Sequence, residues 1–213
     1  HYRSRSLDLI QFSNTHFYKN SLLLLPDFHY LNRAEPAIRY VAVGGIWENN
    51  RNLAEAEAIV RLVQTSLREA PHCSVGVVTF NSVQQQLIQD LLEKADVDSD
   101  GLFVKNIENV QGDERDIILF SVGYAPDKDG ILRMNFGSLN RAGGENRLNV
   151  AVTRARERIY VVRVSGPINS PPTKPSMTGR DCSKPTCSMR WRYLRVDSAL
   201  RPRFRLPTDA SGS

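Results

Sequence analysis

Arginine is concentrated in one short stretch, Arg147-Leu148-Asn149-Val150-Ala151-Val152-Thr153-Arg154-Ala155-Arg156-Glu157-Arg158, which runs straight into the apolar Ile159-Tyr160-Val161-Val162. A guanidinium is a planar fork of donors that matches a carboxylate or phosphate with two parallel hydrogen bonds, so such a segment can hold an anion. Read as a helix, positions three and four apart share a face. Leu148, Val152 and Ala155 then form an apolar face, Asn149, Thr153 and Arg156 lie on another, and Arg154 stands to one side. The bland alternative is solvated charge near a helix C-terminus, which the helix dipole favours. A second segment, Val110-Gln111-Gly112-Asp113-Glu114-Arg115-Asp116, sets a glycine and carboxylates just ahead of an apolar run. A third, His1-Tyr2-Arg3-Ser4-Arg5, opens the chain, and a fourth joins Val75 to Thr79, Phe80 and Asn81, with Gln84 three residues on.

The elements that must position these groups alternate in type. Ile38 to Val43 predicts a short strand. Asn52 caps a predicted helix with Glu55 and Glu57 in its first turn and Ile59, Val60 and Val63 on its apolar stripe. Val75 to Phe80 predicts a β-branched strand, followed from Ser82 by a helix with Val83, Leu87, Ile88, Leu91 and Leu92 on one face. Leu102 to Val104 and Asp116 to Val122 predict further strands, and Ala125 to Leu139 a hairpin turning at Asp127-Lys128-Asp129-Gly130. Glu145 to Ala155 predicts a helix and Ile159 to Val162 the last strand. Strands and helices in this alternation imply an α/β fold with a parallel, doubly wound sheet. Such sheets take ligands at the carboxyl ends of their strands. The loops after Phe80, before Asp116 and before Ile159 are therefore expected to hold the chemistry.

Composition narrows the function classes. The formal net charge is +5, but the residues from Val164 onward carry nine Lys and Arg against three Asp and Glu, and the preceding part is close to neutral. The body thus has no bulk positive field, and any grip on nucleic acid must come from placed groups. Seven of the eleven prolines and two of the three cysteines also lie beyond Arg163, which marks a boundary there. No run approaches the ~18 apolar residues of a membrane span, the Leu22 to Leu25 run being far too short. Three cysteines make no disulfide framework, so a cytoplasmic setting is expected.

The string Arg147-Leu-Asn-Val-Ala-Val-Thr-Arg154-Ala-Arg156, followed by an apolar strand, closely resembles motif VI of superfamily 1 helicases. Gln111-Gly-Asp-Glu-Arg-Asp116 resembles their motif V, Tyr2-Arg3 the start of their motif IV, and Val75 to Phe80 with Gln84 the strand–turn–helix that follows. All occur in family order over about residues 1–163. The resemblance is to the nonsense-decay-type branch and to large bacterial helicases within it, where a strand like Val41 to Trp47 precedes an Asn-x-x-Glu-Ala helix such as that at Asn52. It implies a RecA-like, P-loop NTPase-type domain for residues 1–163, the second of two that sandwich ATP, with a mainly parallel sheet and helices on both faces. By motif position, Arg154 would be the arginine finger on the γ-phosphate and Arg3 a second arginine there. Glu114 would accept a ribose hydroxyl, with Gly112 allowing close backbone approach. Thr79, Asn81 and Gln84, at the start of the following helix, would contact a phosphate of single-stranded nucleic acid, DNA ahead of RNA. Arg156 would brace the site. No Gly-x-x-x-x-Gly-Lys-Ser/Thr occurs, so ATP and Mg²⁺ are expected to be shared with a first RecA-like domain lying upstream of His1, and no membrane partner is expected. Two alternatives stand beside the motor: a non-catalytic RecA-like module binding nucleic acid or protein, and an ATPase that remodels without unwinding.

Other features weigh less. Cys182 and Cys187 lack the partners a zinc site needs, so no metal is assigned to the protein itself. His16 and His29 read as packing or surface residues. Trp47 reads as a rim or core side chain ahead of a base-stacking one. Residues 164–213 are irregular, basic and rich in proline. Shifted by one frame, Asp181 to Arg190 can encode Leu-Leu-Lys-Ala-Tyr-Leu-Phe-Tyr-Ala, which resembles the helix after motif VI in those bacterial helicases. The tail therefore reads in three ways: as a disordered segment without function, as an arginine-rich segment that binds nucleic acid electrostatically, or as an out-of-frame translation.

Overall fold

The computed structural model describes residues 4–23, 35–98, 100–131 and 137–164. Arg3, His29, the prolines and cysteines of the tail, and residues 132–136 of the expected hairpin lie outside them. In chain order the elements are α1 (Leu7–Phe17), β1 (Ile38–Val43), α2 (Leu53–Glu69), β2 (Val75–Thr79), α3 (Ser82–Lys94), β3 (Phe103–Asn106), β4 (Arg115–Ser121), a 3₁₀ turn (Gly137–Asn140), α4 (Gly144–Val152) and β5 (Ala155–Val164). The strands make one sheet in the order β1-β5-β4-β2-β3, parallel at every pairing.

That order explains where the helices lie. The crossovers through α2 and α3 lead one way along the sheet, and the crossover through α4 leads back the other way. Right-handed connection then puts the two sets on opposite faces. Ala56, Ile59 and Val63 of α2 and Ile88 and Leu92 of α3 pack with Val75, Val77, Ile117, Leu119 and Val162 in one core layer. Leu9 of α1 and Ala151 and Val152 of α4 pack with Val78, Ile118, Phe120 and Ile159 in the other. Adjacent residues of β4, such as Ile118 and Leu119, serve opposite layers because strand side chains alternate.

Local signals act as sequence logic requires at two helix starts. Asn52 Oδ1 accepts from the Glu55 N–H at 3.2 Å, and Asn81 Oδ1 accepts from the Gln84 N–H at 2.8 Å, each satisfying an orphan donor of its helix. Gly76 sits where a side chain has no room, since a Cβ there would lie 2.5 Å from the Phe103 ring and 2.9 Å from Ile118 Cδ1. Gly76→Ala is expected to destabilise the domain by about 1–3 kcal/mol through overpacking, read from the midpoint of urea unfolding; an unchanged midpoint would contradict this packing.

Two expectations are corrected, and one helix appears where none was expected. The helix expected to reach Ala155 stops at Val152, a turn occupies Thr153 and Arg154, and β5 begins at Ala155. Arg156 is therefore a strand residue and shares no helix face with Asn149 and Thr153. Ala155 pairs with Arg115 at the start of β4, and this pairing outcompetes another helical turn through the β-branched Val150, Val152 and Thr153. Of the expected hairpin, the turn forms, with Asp127 N–H donating to the Ile131 carbonyl at 3.0 Å, but Leu139 lies in the 3₁₀ turn. Helix α1 was not foreseen, because it buries Ser13 and Asn14 alongside Leu9 and so shows little apolar periodicity. His16 in that helix is half-buried against the Phe12 ring, and burial lowers its pKa. Among the described residues no helix is long and apolar enough to cross a membrane.

Candidate functional site

The candidate residues fall at two opposite edges of the sheet. Gly112, Glu114 and Arg154 precede β4 or β5 and sit at the amino edge, whereas Thr79, Asn81 and Gln84 end β2 or begin α3 at the carboxyl edge. The expectation that all three loops would meet at the carboxyl ends is thus overturned. In a parallel sheet, a segment that enters a strand and one that leaves a strand cannot share an edge. The seven residues of β4, at ~3.3 Å each, hold the two groups about 20 Å apart.

At the amino edge, Arg154 lies in the turn just past Thr153, the C-cap of α4, near a helix end whose dipole favours a cation. Its Nε donates to the Val150 carbonyl at 3.0 Å and its Nη2 to Thr153 Oγ1 at 3.1 Å. The Thr153 hydroxyl donates to the same Val150 carbonyl at 2.8 Å. The guanidinium is thereby anchored along one side of its fork, and no further hydrogen bond engages Nη1 among the described residues. Arg156, on β5, reaches Glu114 Oε2 through Nη2 at 3.3 Å and Nε at 3.4 Å. The chain before α1 joins the same edge, with the Arg5 N–H donating to the Arg156 carbonyl at 2.7 Å and the Ser4 hydroxyl to that carbonyl at 3.2 Å.

The carboxylates of this edge are already engaged. Asp113 pairs with Lys105 at 2.7 Å, Glu114 with Arg156, and Asp116 accepts from the Ser74 hydroxyl at 2.7 Å and the Ser74 N–H at 2.9 Å. Burial pushes the Asp116 carboxyl up, but the Ser74 bonds and the charges of Arg156 and Arg5 outweigh it and hold the pKa below the ordinary value. Arg115 is committed to structure, donating to the Gly101 carbonyl at 2.6 Å and lying over the Phe103 ring at 4.9 Å. Gly112 has φ +89°, a left-handed conformation that favours glycine, and nothing lies within 4 Å of the place its Cβ would take.

At the carboxyl edge a buried polar network joins four elements. Thr79 and Gln84 are fully buried. The Thr79 hydroxyl donates to the Asn81 carbonyl at 3.0 Å. Gln84 Oε1 accepts from the Asn52 N–H at 2.8 Å, and its Nε2 donates to the Asn52 carbonyl at 3.1 Å and to Ser121 Oγ at 3.2 Å. Glu55 Oε1 accepts from the Ser121 hydroxyl at 2.7 Å and the Gly123 N–H at 2.6 Å. Burial pushes the Glu55 carboxyl up to about 7, against the pull of those two donors. Glu55 Oε2, Asn52 Nδ2 and Asn81 Nδ2 are buried without a hydrogen-bond partner among the described residues. This edge is also where connections leave β2 and β4 in opposite directions, the topological switch at which α/β sheets take ligands.

Sequence reasoning read Glu55 as a first-turn acid interacting with the helix dipole, and it missed this network. Glu57, its neighbour in that reading, is exposed. The one available signal was the Asn52-x-x-Glu55 spacing of a capping box, but here the carboxylate turns to β4 while Gln84 takes the Asn52 N–H. Ser121, Gly123 and Tyr124 carried no local signal. Among the described residues no cluster of His, Cys, Asp and Glu could hold a metal ion; Cys182 and Cys187 lie outside them.

Residues 1–165 match the AAA domain family. The chain is 43% identical, over 184 aligned residues covering 78% of it, to an uncharacterized ATP-dependent helicase, MG140, of Mycoplasma genitalium. It is 29% identical over 115 residues, 52% of its length and 6% of the relative's, to the mouse 5'-3' DNA helicase ZGRF1. It spans only 16% of the length of the Mycoplasma relative. Among solved structures, the C-terminal domain of a possible DNA helicase from Lactobacillus plantarum aligns with a TM-score of 0.48 and 12% identity, over 76% of this chain and 87% of that one.

Proposed function

The chain belongs to the AAA domain family and is a RecA-like domain of the superfamily 1 helicase type, and from that premise we propose that it is the second motor domain of an ATP-dependent helicase or translocase. In this reading Arg154, with Arg3, meets the γ-phosphate of ATP held on a first RecA-like domain, and Glu114 takes the ribose. Single-stranded nucleic acid, DNA in preference to RNA, runs along the carboxyl edge.

The observation that carries the reading is Arg154 itself. Its fork is anchored on one side and open on the other, at an edge whose carboxylates are already paired. Charge accumulates on a transferring phosphoryl group, and a preoriented guanidinium stabilises it without reorganising. The amino edge fits a nucleotide: Arg5, Arg154 and Arg156 supply positive charge, and the open left-handed turn at Gly112 leaves room for close approach. It does not fit a metal, since Asp113, Glu114 and Asp116 are engaged by Lys105, Arg156 and Ser74. Mg²⁺ and the phosphate cradle are accordingly assigned to the first domain. Glu114 must share its carboxylate between Arg156 and a ribose hydroxyl, so Arg156 positions it. Burial of Thr79, Gln84 and Asn81 Nδ2 gives these side chains a positioning part, which leaves the Asn81 backbone and the exposed first residues of α3 to touch a phosphate.

ATP hydrolysis tests the proposal. The complete protein is expected to turn over ATP and to do so faster with single-stranded DNA, while residues 1–165 alone turn over none. Absence of turnover in the complete protein, with or without DNA or RNA, would favour a non-catalytic binding module.

A further inference from the structure

Two loops meet at the carboxyl edge beside Asn81. The first, following β1, carries Ile46 and Trp47 and closes on a tight turn in which Asn49 and Asn50 have φ of 51° and 60°. The Glu48 and Arg51 backbones exchange hydrogen bonds of 3.0 Å across that turn. The second follows β4 and runs from Gly123 through Tyr124 to the turn at Asp127. Three contacts pin the loops together: the Trp47 and Tyr124 rings stack with centroids 4.7 Å apart and an interplanar angle of 27°, the Trp47 N–H donates to the Pro126 carbonyl at 2.9 Å, and Lys128 pairs with Glu48 at 2.6 Å.

The aromatic pair borders the start of α3 because position 123 is glycine. Gly123 has φ +80°, and a Cβ there would lie 3.3 Å from Trp47 Cζ3, 3.6 Å from Asn81 Nδ2 and 3.7 Å from Gln84 Cγ. The indole edge and the Asn81 amide therefore flank one point. Trp47 and Tyr124 are each only half-buried, and Ile46 beside them is 47% exposed. A hydrophobic core would not stop two large rings at its rim with the buried Asn81 Nδ2, unpartnered among the described residues, next to them.

We propose that the Trp47–Tyr124 pair is a stacking platform for an unpaired nucleobase, placed one nucleotide's breadth from a backbone phosphate at Asn81 and the start of α3. The inference rests on the nucleic-acid reading of the carboxyl edge and adds the part of the strand that this edge contacts. Every nucleobase has a π-face, so such a platform holds a strand without reading its sequence. It also suits a body with no bulk positive charge, in which contact with bases must supplement contact with phosphates. Glu55, through Ser121 and the Gly123 N–H, fixes the loop that carries Tyr124.

The test is fluorescence anisotropy of the complete protein with oligothymidylate and with an oligonucleotide of equal length whose thymines are replaced by abasic sites. The wild type is expected to prefer the base-containing strand by about ten-fold, within the range for one stacked base. Trp47→Ala should bind both strands with the affinity the wild type has for the abasic one, and Trp47→Phe, which keeps a ring, should retain most of the preference. Equal binding of both strands by the wild type, with DNA-stimulated ATP turnover intact, would overturn the platform and spare the motor. Loss of affinity by Trp47→Ala for both strands alike would also overturn it. Failure of the wild type to bind either strand would overturn the nucleic-acid reading and the platform with it.

Discussion

Replacing Arg154 by alanine in the complete protein is expected to lower nucleic-acid-stimulated ATP turnover by about 10³-fold or more, the range for an arginine finger, while nucleotide affinity changes by no more than about a few-fold. The asymmetry follows from when the charge appears. An interaction that strengthens only as the phosphoryl group transfers lowers kcat and kcat/KM together. The geometry sharpens the expectation, because Nε and Nη2 are held by the Val150 carbonyl and the Thr153 hydroxyl. The fork is therefore oriented before any ligand arrives. Arg154→Lys should fail nearly as badly, since an ammonium cannot keep both anchors and still present a fork. Steady-state turnover together with nucleotide binding measured separately decides the matter. Normal turnover in Arg154→Ala would remove this residue from the phosphate and, with it, the main support for the motor reading.

Glu55→Gln is expected to stabilise the protein at alkaline pH and to leave it unchanged in acid. Burial raises the Glu55 pKa from an ordinary value of 4.5 to about 7, so the folded state prefers the protonated carboxyl. Its contribution is fully present below about pH 4.5 and is lost as pH rises through about 7. At ~1.4 kcal/mol per pH unit, the loss across that window amounts to about 3 kcal/mol. The geometry agrees with the sign: Oε1 takes donors from Ser121 and Gly123, and Oε2 has no partner among the described residues, so half of an ionised carboxylate would lie buried without a hydrogen bond. A carboxamide keeps the accepting oxygen and carries no charge to desolvate. Denaturant unfolding of both proteins at about pH 4.5 and about pH 8 makes the comparison. A glutamine variant less stable than the wild type at the higher pH would mean that the ionised carboxylate is the form the fold requires.

This second result bears on function as well as stability. Glu55, Gln84, Asn52 and Ser121 tie the start of α2, the start of α3 and the exit of β4 into one unit. A loosened unit would shift the loops that carry Trp47 and Tyr124 relative to Asn81.

Much of the architecture could be read from residue order. Alternating β-branched runs and amphipathic stripes located β1, β2, β4, α2 and α3, and Asn52 and Asn81 marked two helix starts, because periodicity and capping are decided by neighbours within one or two turns. Motif order also identified the type of domain. What the sequence could not decide was anything set by partners distant along the chain. Arg156 became a strand residue because β4 was there to pair with. Gln84 became a buried brace because Asn52 and Ser121, 32 and 37 residues away along the chain, came to meet it. The separation of the arginine edge from the aromatic edge required the strand directions themselves. Those directions depend on right-handed crossovers and sheet order, which are properties of the folded whole: a segment's local pattern says that it is a strand, and only its neighbours say which of its ends a ligand can reach.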